Sequence, residues 1–485
     1  MWWTAVTYGA TFEVSPGDDV EAAIAALAPG DELIVHGGDY PLTDRFSIDL
    51  VGTEALPIVI RAADGEEPHF DRAAEDQNIW DLDRAEHVTL RGLEWSGGSA
   101  GLRISAAVAL TIEGCEIHDT GDVALRANDG GTYEGLQILR NEIHHTNGTG
   151  EGMYLGCNDD GCRIANSLIE GNWVHHTDGP TVEQGDGIEL KEGSYGNVIR
   201  DNVIHDTHYP CILTYSTVGN GPANVIERNV MWGCGDHGIQ SAADAVIRNN
   251  IVLGSGSDGI AMQAHQSGSP SGLVVVNNTV LRATNDALSL RDVSGSVVIA
   301  NNALYAQSGT ALNVVSGDLA ALVVSNNVGV GGSTAGGFTD GDLAVDFVGA
   351  HYGGAPPIDV FPAWTGALPG AADPTQLPTD DFNGTARITA DVGAYAADPA
   401  GNPGWTITEG FKDLLEADTD TDTDTDADTD ADADTDADAD TDADTDTPPI
   451  DTGAPPDKGG CGCAGGPAGA ATWVLGVVLA ARRRR

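Results

Sequence analysis

The chain has 485 residues, of which 64 are glycine and only 6% aromatic, and its 74 Asp and Glu against 22 Lys and Arg leave a formal net charge of −52. That balance excludes nucleic acid as a partner, because phosphates are neutralised by Lys and Arg. It also excludes capture of a polyanion by overall attraction, so an anionic substrate needs a local basic cleft or bridging cations.

Residues 1–11 form an N-terminal segment. Met1-Trp2-Trp3-Thr4 has no basic stretch and no sustained apolar run, so no secretory signal is visible there. The other end of the chain reads as a surface address, and the start is therefore expected to be truncated or misassigned. Pro16-Gly17-Asp18-Asp19 before Val20–Leu27 reads as a capped short helix. Pro29-Gly30-Asp31 and the strand Leu33–Val35 follow, then Gly37-Gly38-Asp39-Tyr40.

From there a repeat takes over. An apolar-x-x-Asn-x-apolar phrase recurs at Asn141, Asn172, Asn202, Asn229, Asn250, Asn278, Asn302 and Asn327, and Leu93 and Cys115 occupy the same frame earlier. The mean step is about 26 residues, the length of one solenoid turn. Between these phrases a glycine opens a short alternating stretch, as in Gly152-Met-Tyr-Leu155 and Gly187-Ile-Glu-Leu190. Strands this short cannot bury a face alone, so coils must stack, with the Asn side chains forming an internal hydrogen-bonded ladder. The fold class is all-β, a right-handed parallel β-helix over residues 12–396 with a helical N-terminal cap. Asp380–Arg387 and Asp391–Tyr395 read as its closing segment at the far end.

Alternation along the strands places Tyr154, Glu189, Gln240 and Ser289 in one outward column. Lys191, Tyr215 and Arg291 stand in the next, and Glu151, Asp186, His237 and Asp258 just before the strands. An ordinary solvated sheet face is the plain explanation. The sharper one is chemical: elimination on a uronic acid needs a base and a cation to stabilise the enolate. Lys191, Tyr215 and His237 are the candidate catalytic residues. Glu151, Tyr154, Asp186, Gln240 and Arg291 are candidates for substrate binding. Glu189 and Asp186 are the candidate Ca²⁺ ligands, since Ca²⁺ prefers clustered oxygens. Asp159-Asp160 and Asp236 bear a superficial likeness to the clustered acids of glycoside hydrolases, a second enzymatic option.

A further column holds His118, His144, His175 and His205, followed by Asp119, His145, His176 and Asp206. Stacked imidazoles and carboxylates can ligate Zn²⁺, but a flat column does not converge on an ion. The expectation is a duplicated coil with His at an exposed turn. Cys157 and Cys162 can close a short loop as a disulfide. Cys115, Cys211 and Cys234 read as buried thiols or one further bridge.

The opening helix–Pro-Gly-Asp–strand–Gly-Gly-Asp-Tyr resembles the start of bacterial β-helix proteins active on polysaccharides, including the chondroitinase B and alginate lyase family. Leu190–Ile204 is similar to that family's catalytic-lysine coil, which implies that Lys191 is the counterpart of its lysine and Glu189 of a calcium-binding carboxylate. The family's next coil carries an arginine where this chain has Tyr215.

Residues 397–417 read as a linker and 418–458 as a disordered spacer, with Asp at every second position from Asp418 to Asp446, 15 in all. In 459–485, Cys461 and Cys463 precede an apolar run, Ala468–Ala481, and four arginines. Fourteen residues span about 21 Å as a helix, short of the roughly 30 Å hydrocarbon core. This tail resembles the myxobacterial C-terminal sorting signal, which implies processing by a protease near one of the two cysteines, passing membrane attachment and display at the cell surface or secretion. The sequence thus points to a surface protein that binds or degrades extracellular polysaccharide, and its rival is a non-catalytic glycan-binding, adhesin or structural protein.

Overall fold

The computed structural model describes residues 9–131, 133–266 and 268–413. Asp418–Asp446 and the tail with Cys461 and Cys463 lie outside the described residues. Among those described, no helix is long and apolar enough to cross a membrane.

The chain winds as a parallel β-solenoid with three walls. Each coil contributes a strand such as Ile188–Leu190 to a first wall, Val198–Arg200 to a second and Val203–Thr207 to a third. The first and second walls merge into one 25-stranded sheet, and the third is a 13-stranded sheet. Register runs straight up the stack: Tyr154 pairs with Glu189, Glu189 with Leu213, and Leu213 with Gln240.

The asparagine frame explains why the coils stay in step. Asn172 accepts from the backbone N–H of Asn141 at 2.9 Å, and Asn202 accepts from that of Asn172 at 2.9 Å, and the series continues to Asn327. Each side-chain amide also donates to a neighbouring carbonyl, as Asn202 does to Ile169 at 3.0 Å. These amides are fully buried, so the ladder satisfies groups that would otherwise be costly to desolvate. The residue before each ladder position turns the corner in the left-handed region, at φ 57° for Asp201 and 56° for Asn249, conformations that Asn, Asp and Gly tolerate best. Gly187 opens its strand because an added Cβ would stand 2.6 Å from the Cys211 carbonyl oxygen and 2.6 Å from Ile204.

Val20–Ala25 forms the capping helix, with Asp19 accepting from the Ala22 N–H. Val20 and Ile24 bury into the same core as Leu33 and Leu50. The far end differs from expectation. Phe338–Asp340 adds the last strand of the third wall, and the residues after it, 341–413, fold back along the outside of that wall. Arg387 donates to Asn249 at 2.9 Å, Arg228 pairs with Asp380 at 2.6 Å, and Lys412 with Asp201 at 2.7 Å. Here the outward third-wall residues are apolar (Val230, Leu253, Leu281, Tyr305). They share a second core with Phe361, Phe382, Tyr395 and Trp405. The span expected as a linker, 397–417, is packed in its described part: Trp405, Ile407 and Lys412 are buried. The physical reason is the apolar wall, which needs a cover.

Candidate functional site

The first wall, read from its strands outward, carries one column of side chains in the order Asp81, Arg103, Arg126, Tyr154, Glu189, Leu213 and Gln240. The acidic and aromatic part lies at its centre. Lys191 Nζ donates to Glu189 Oε1 at 2.5 Å. The same oxygen accepts from the Tyr215 hydroxyl at 3.0 Å. The ammonium lies 4.4 Å from the Tyr154 ring centroid and 5.0 Å from that of Tyr215, distances at which a cation is drawn to the ring face. His265 stacks on Tyr215 at 5.1 Å.

Beneath this pair stand two further carboxylates. Glu151, Asp186 and Glu189 each bring a ligand oxygen within 4.8 Å of the others. All three are buried, and Lys191 is only 4% exposed. Both oxygens of Glu151, Oδ1 of Asp186 and Oε2 of Glu189 have no hydrogen-bond partner. Burial raises the carboxyl pKa of Glu151. Burial, then the charges of Glu189 and Glu151, raise that of Asp186 well above its usual value. Burial lowers the pKa of Lys191, but the charge and hydrogen bond of Glu189 outweigh it, so the net shift is upward. Burial and Glu189 push the Tyr215 hydroxyl up as well.

Three carboxylates around one ammonium leave buried oxygens with nothing to bind. A divalent cation with a preference for oxygen fits that donor set. Glu151, Asp186 and Glu189 are the residues that would hold it; Glu151 joins the two expected ligands.

Lys191, Tyr215, Tyr154, Glu151, Asp186 and Glu189 therefore meet in one place. His237 does not. It stands two coils on from Asp186, and its Nδ1 accepts from the Asp258 N–H at 3.1 Å. Arg291 reaches Asp258 at 3.7 Å, and Gln240 lies two pairings from Glu189. Asp160 is tied to Arg163 at 2.6 and 2.8 Å. The acids of the hydrolase option do not converge.

The sequence reading missed Arg103 and Arg126, which continue the column on the side opposite Tyr215. Arg126 is adjacent to Tyr154 in register, its Nε is buried without a partner, and its Nη1 lies 3.7 Å from Asp122. The signal was present: Gly101-Leu-Arg-Ile104 and Ala124-Leu-Arg-Ala127 repeat the frame of Gly152-Met-Tyr-Leu155. Cys157 and Cys162 form a disulfide, as do Cys211 and Cys234, while Cys115 is a buried free thiol. The loop closed by the first disulfide reaches across the site, and Asn158 accepts from Gln266 at 3.4 Å.

Residues 7–208 match the family model described as the Pel9A-like right-handed β-helix region, and residues 135–329 one described as periplasmic copper-binding protein (NosD). No curated protein matches the chain in sequence. Among solved structures, pectate lyase Pel9A is similar with a TM-score of 0.51 and 16% identity, over 81% of this chain and 98% of that one. XylC in complex with xylose has a TM-score of 0.51 and 10% identity, over 83% and 99%. An alginate lyase from Paenibacillus sp. str. FPU-7 has a TM-score of 0.45 and 16% identity, over 68% and 99%. At such identities the shared property is the fold: this chain is a right-handed parallel β-helix, as pectate lyase Pel9A is.

Proposed function

We propose that the chain acts on an extracellular uronic-acid polysaccharide bound along the first wall, cleaving it by β-elimination. One observation carries this reading. Lys191 sits between two tyrosine rings beside three buried carboxylates with unpartnered oxygens, on the wall that also presents Arg103 and Arg126. The likeness in fold to a pectate lyase supports it.

The arginines suit the carboxylates of a polyuronate, since a guanidinium matches a carboxylate in a fork. When bound by Glu151, Asp186 and Glu189, a Ca²⁺ ion would supply positive charge that draws electron density from a substrate carboxyl and weakens the hold of Glu189 on Lys191. Lys191, released from Glu189, first gives its extra proton to solvent, and the neutral amine then takes the proton from the carbon α to the carboxyl. The electron pair of that C–H bond forms the C=C bond as the glycosidic C–O bond at the β carbon breaks. Tyr215 donates its hydroxyl proton to the departing oxygen. The products are an unsaturated uronate and a new chain end bearing a hydroxyl.

A second reading has its own support. In this state Lys191 is buried and clamped to Glu189, which suits a non-catalytic wall that binds glycan around an inner structural cluster. The assay that separates the two is direct. The full chain is incubated with pectate, alginate and chondroitin, with and without Ca²⁺, and absorbance of the unsaturated uronate is followed. Elimination predicts product that is lost in Lys191→Ala. Absence of product on all three, or product unchanged in Lys191→Ala, removes the lyase reading.

Display at the cell surface, with processing at Cys461 or Cys463, is proposed on the sequence alone. Mass spectrometry of the mature protein tests it: an intact Arg485 contradicts it.

A further inference from the structure

The third wall presents two different outer faces. Where residues 341–413 cover it, the outward residues are apolar. Toward the N-terminus, where the described part of the cover reaches its edge with Phe411 beside Trp173 and Arg140, it carries glutamates and histidines in adjacent columns. Glu94, Glu116 and Glu142 stand in register in one column; His118, His144 and His175 stand in register in the other. These histidines lie in strands, half-buried or buried, and not at an exposed turn; His145, just past its strand, and His176, still within its own, follow them in the left-handed region.

The two columns interleave. Glu94 Oε1 lies 3.0 Å from His118 Nε2 and 3.6 Å from His69 Nε2. One coil on, Glu116 Oε1 lies 3.1 Å from His144 Nε2 and 4.0 Å from His118 Nε2. Next, Glu142 Oε1 lies 3.2 Å from His175 Nε2 and 3.8 Å from His144 Nε2. A flat imidazole column alone would not converge on an ion. Here Glu116 and Glu142 each reach sideways between two stacked imidazoles, whose centroids are 5.0 and 4.8 Å apart at His118–His144 and His144–His175, while Glu94 stands in register with His69 and reaches across to His118. The result is three overlapping triads of two imidazoles and a carboxylate, each with its ligand atoms within 4.8 Å of one another. The stack ends where Trp232 lies on His205 at 4.6 Å.

We propose that this Glu/His ladder is a binding site for divalent transition metal of the zinc and copper class, separate from the oxygen-only cluster of the first wall. Imidazole with one carboxylate is the donor set those ions select, and three protein ligands leave a position for water. The overlap sets the capacity. The middle triad shares His118 with one neighbour and His144 with the other, so it competes with both. His69–Glu94–His118 and Glu142–His144–His175 share no residue, and the two fill together. The ladder thus takes two ions.

The test is equilibrium dialysis of the metal-stripped full chain against micromolar Zn²⁺, with bound metal counted by elemental analysis. The Asp-rich residues 418–446, the tail cysteines and the first-wall acids are the same in every variant, so the difference between variants is the readout. His118→Gln/His144→Gln should bind two fewer ions than the parent chain, and His144→Gln alone one fewer. Glu94→Gln/Glu142→Gln keeps the imidazole stack intact and leaves only the middle triad, so it should bind one ion fewer than the parent chain, which guards against a misfolded histidine variant. Unchanged Zn²⁺ in both double variants, with far-ultraviolet circular dichroism matching the parent, overturns the proposal.

Discussion

Lys191 is held in its charged form by Glu189, while Glu151 and Asp186 are pushed toward their neutral forms by burial. The consequence for stability has a definite sign. Their folded-state pKa values stand above the ordinary 4.5 and 3.8, so the folded chain holds these protons more tightly than the unfolded one. That stabilisation is complete below the ordinary values and is lost as pH rises through the folded ones. In the absence of divalent cations, Tm is therefore expected to fall between weakly acidic and neutral pH. Ca²⁺ should raise Tm at neutral pH and do little in acid. Glu151→Gln/Asp186→Asn should flatten the pH profile and abolish the Ca²⁺ effect, and a Ca²⁺ shift that survives in that variant contradicts the assignment. Arg126 makes a different prediction. If it binds substrate carboxylates, Arg126→Ala raises KM for a polyuronate with a smaller change in kcat, as steady-state kinetics will show. An equal loss in kcat and kcat/KM would place it at the reacting centre.

At the scale of elements, the asparagine ladder is the device that keeps coils in register. Asn202 accepts from Asn172 and donates to Asn229 and to Ile169. Asn202→Ala leaves buried partners unpaired and is expected to cost about 1–3 kcal/mol in urea unfolding. Loss of much less would mean that stacking of the apolar strands alone sets the register. This ladder was legible in the sequence because one residue type recurs at a fixed place in each coil. The Lys191 cluster was legible for the same reason, since alternation after Gly152 and Gly187 decides which side chains point outward. Arg126 escaped because Ala124 replaces the opening glycine of its coil; Arg103, whose coil keeps Gly101, lies beyond that break, so the frame was not extended backward to it. The histidines were assigned to a turn because their coils carry two adjacent His residues, and only strand pairing tells that His144 lies on the wall and His145 at the corner.

At the scale of the whole molecule, the solenoid needs its own C-terminal segment. Residues 338–413 have no repeat, so their path could not be read from periodicity. Of these, Asp380–Arg387 and Asp391–Tyr395 are expected from the sequence at the end of the stack, and they lie along its side. A chain ended at residue 337 would expose Val230, Leu253, Leu281 and Tyr305, which are buried in the second core. Exposed apolar surface of that kind drives association. Such a chain is expected to aggregate or bind a hydrophobic dye, whereas one ended at residue 413 stays monodisperse on size-exclusion chromatography.

The central claim, a polyuronate site on the first wall around Lys191, is tested most directly by hydrogen–deuterium exchange of the full chain with and without a uronate oligosaccharide in the presence of Ca²⁺. The account predicts protection in peptides covering 101–104, 124–127, 153–163, 188–193 and 212–216, with the third wall unchanged. Protection confined to the third wall or the C-terminal segment, or none at saturating oligosaccharide, contradicts it.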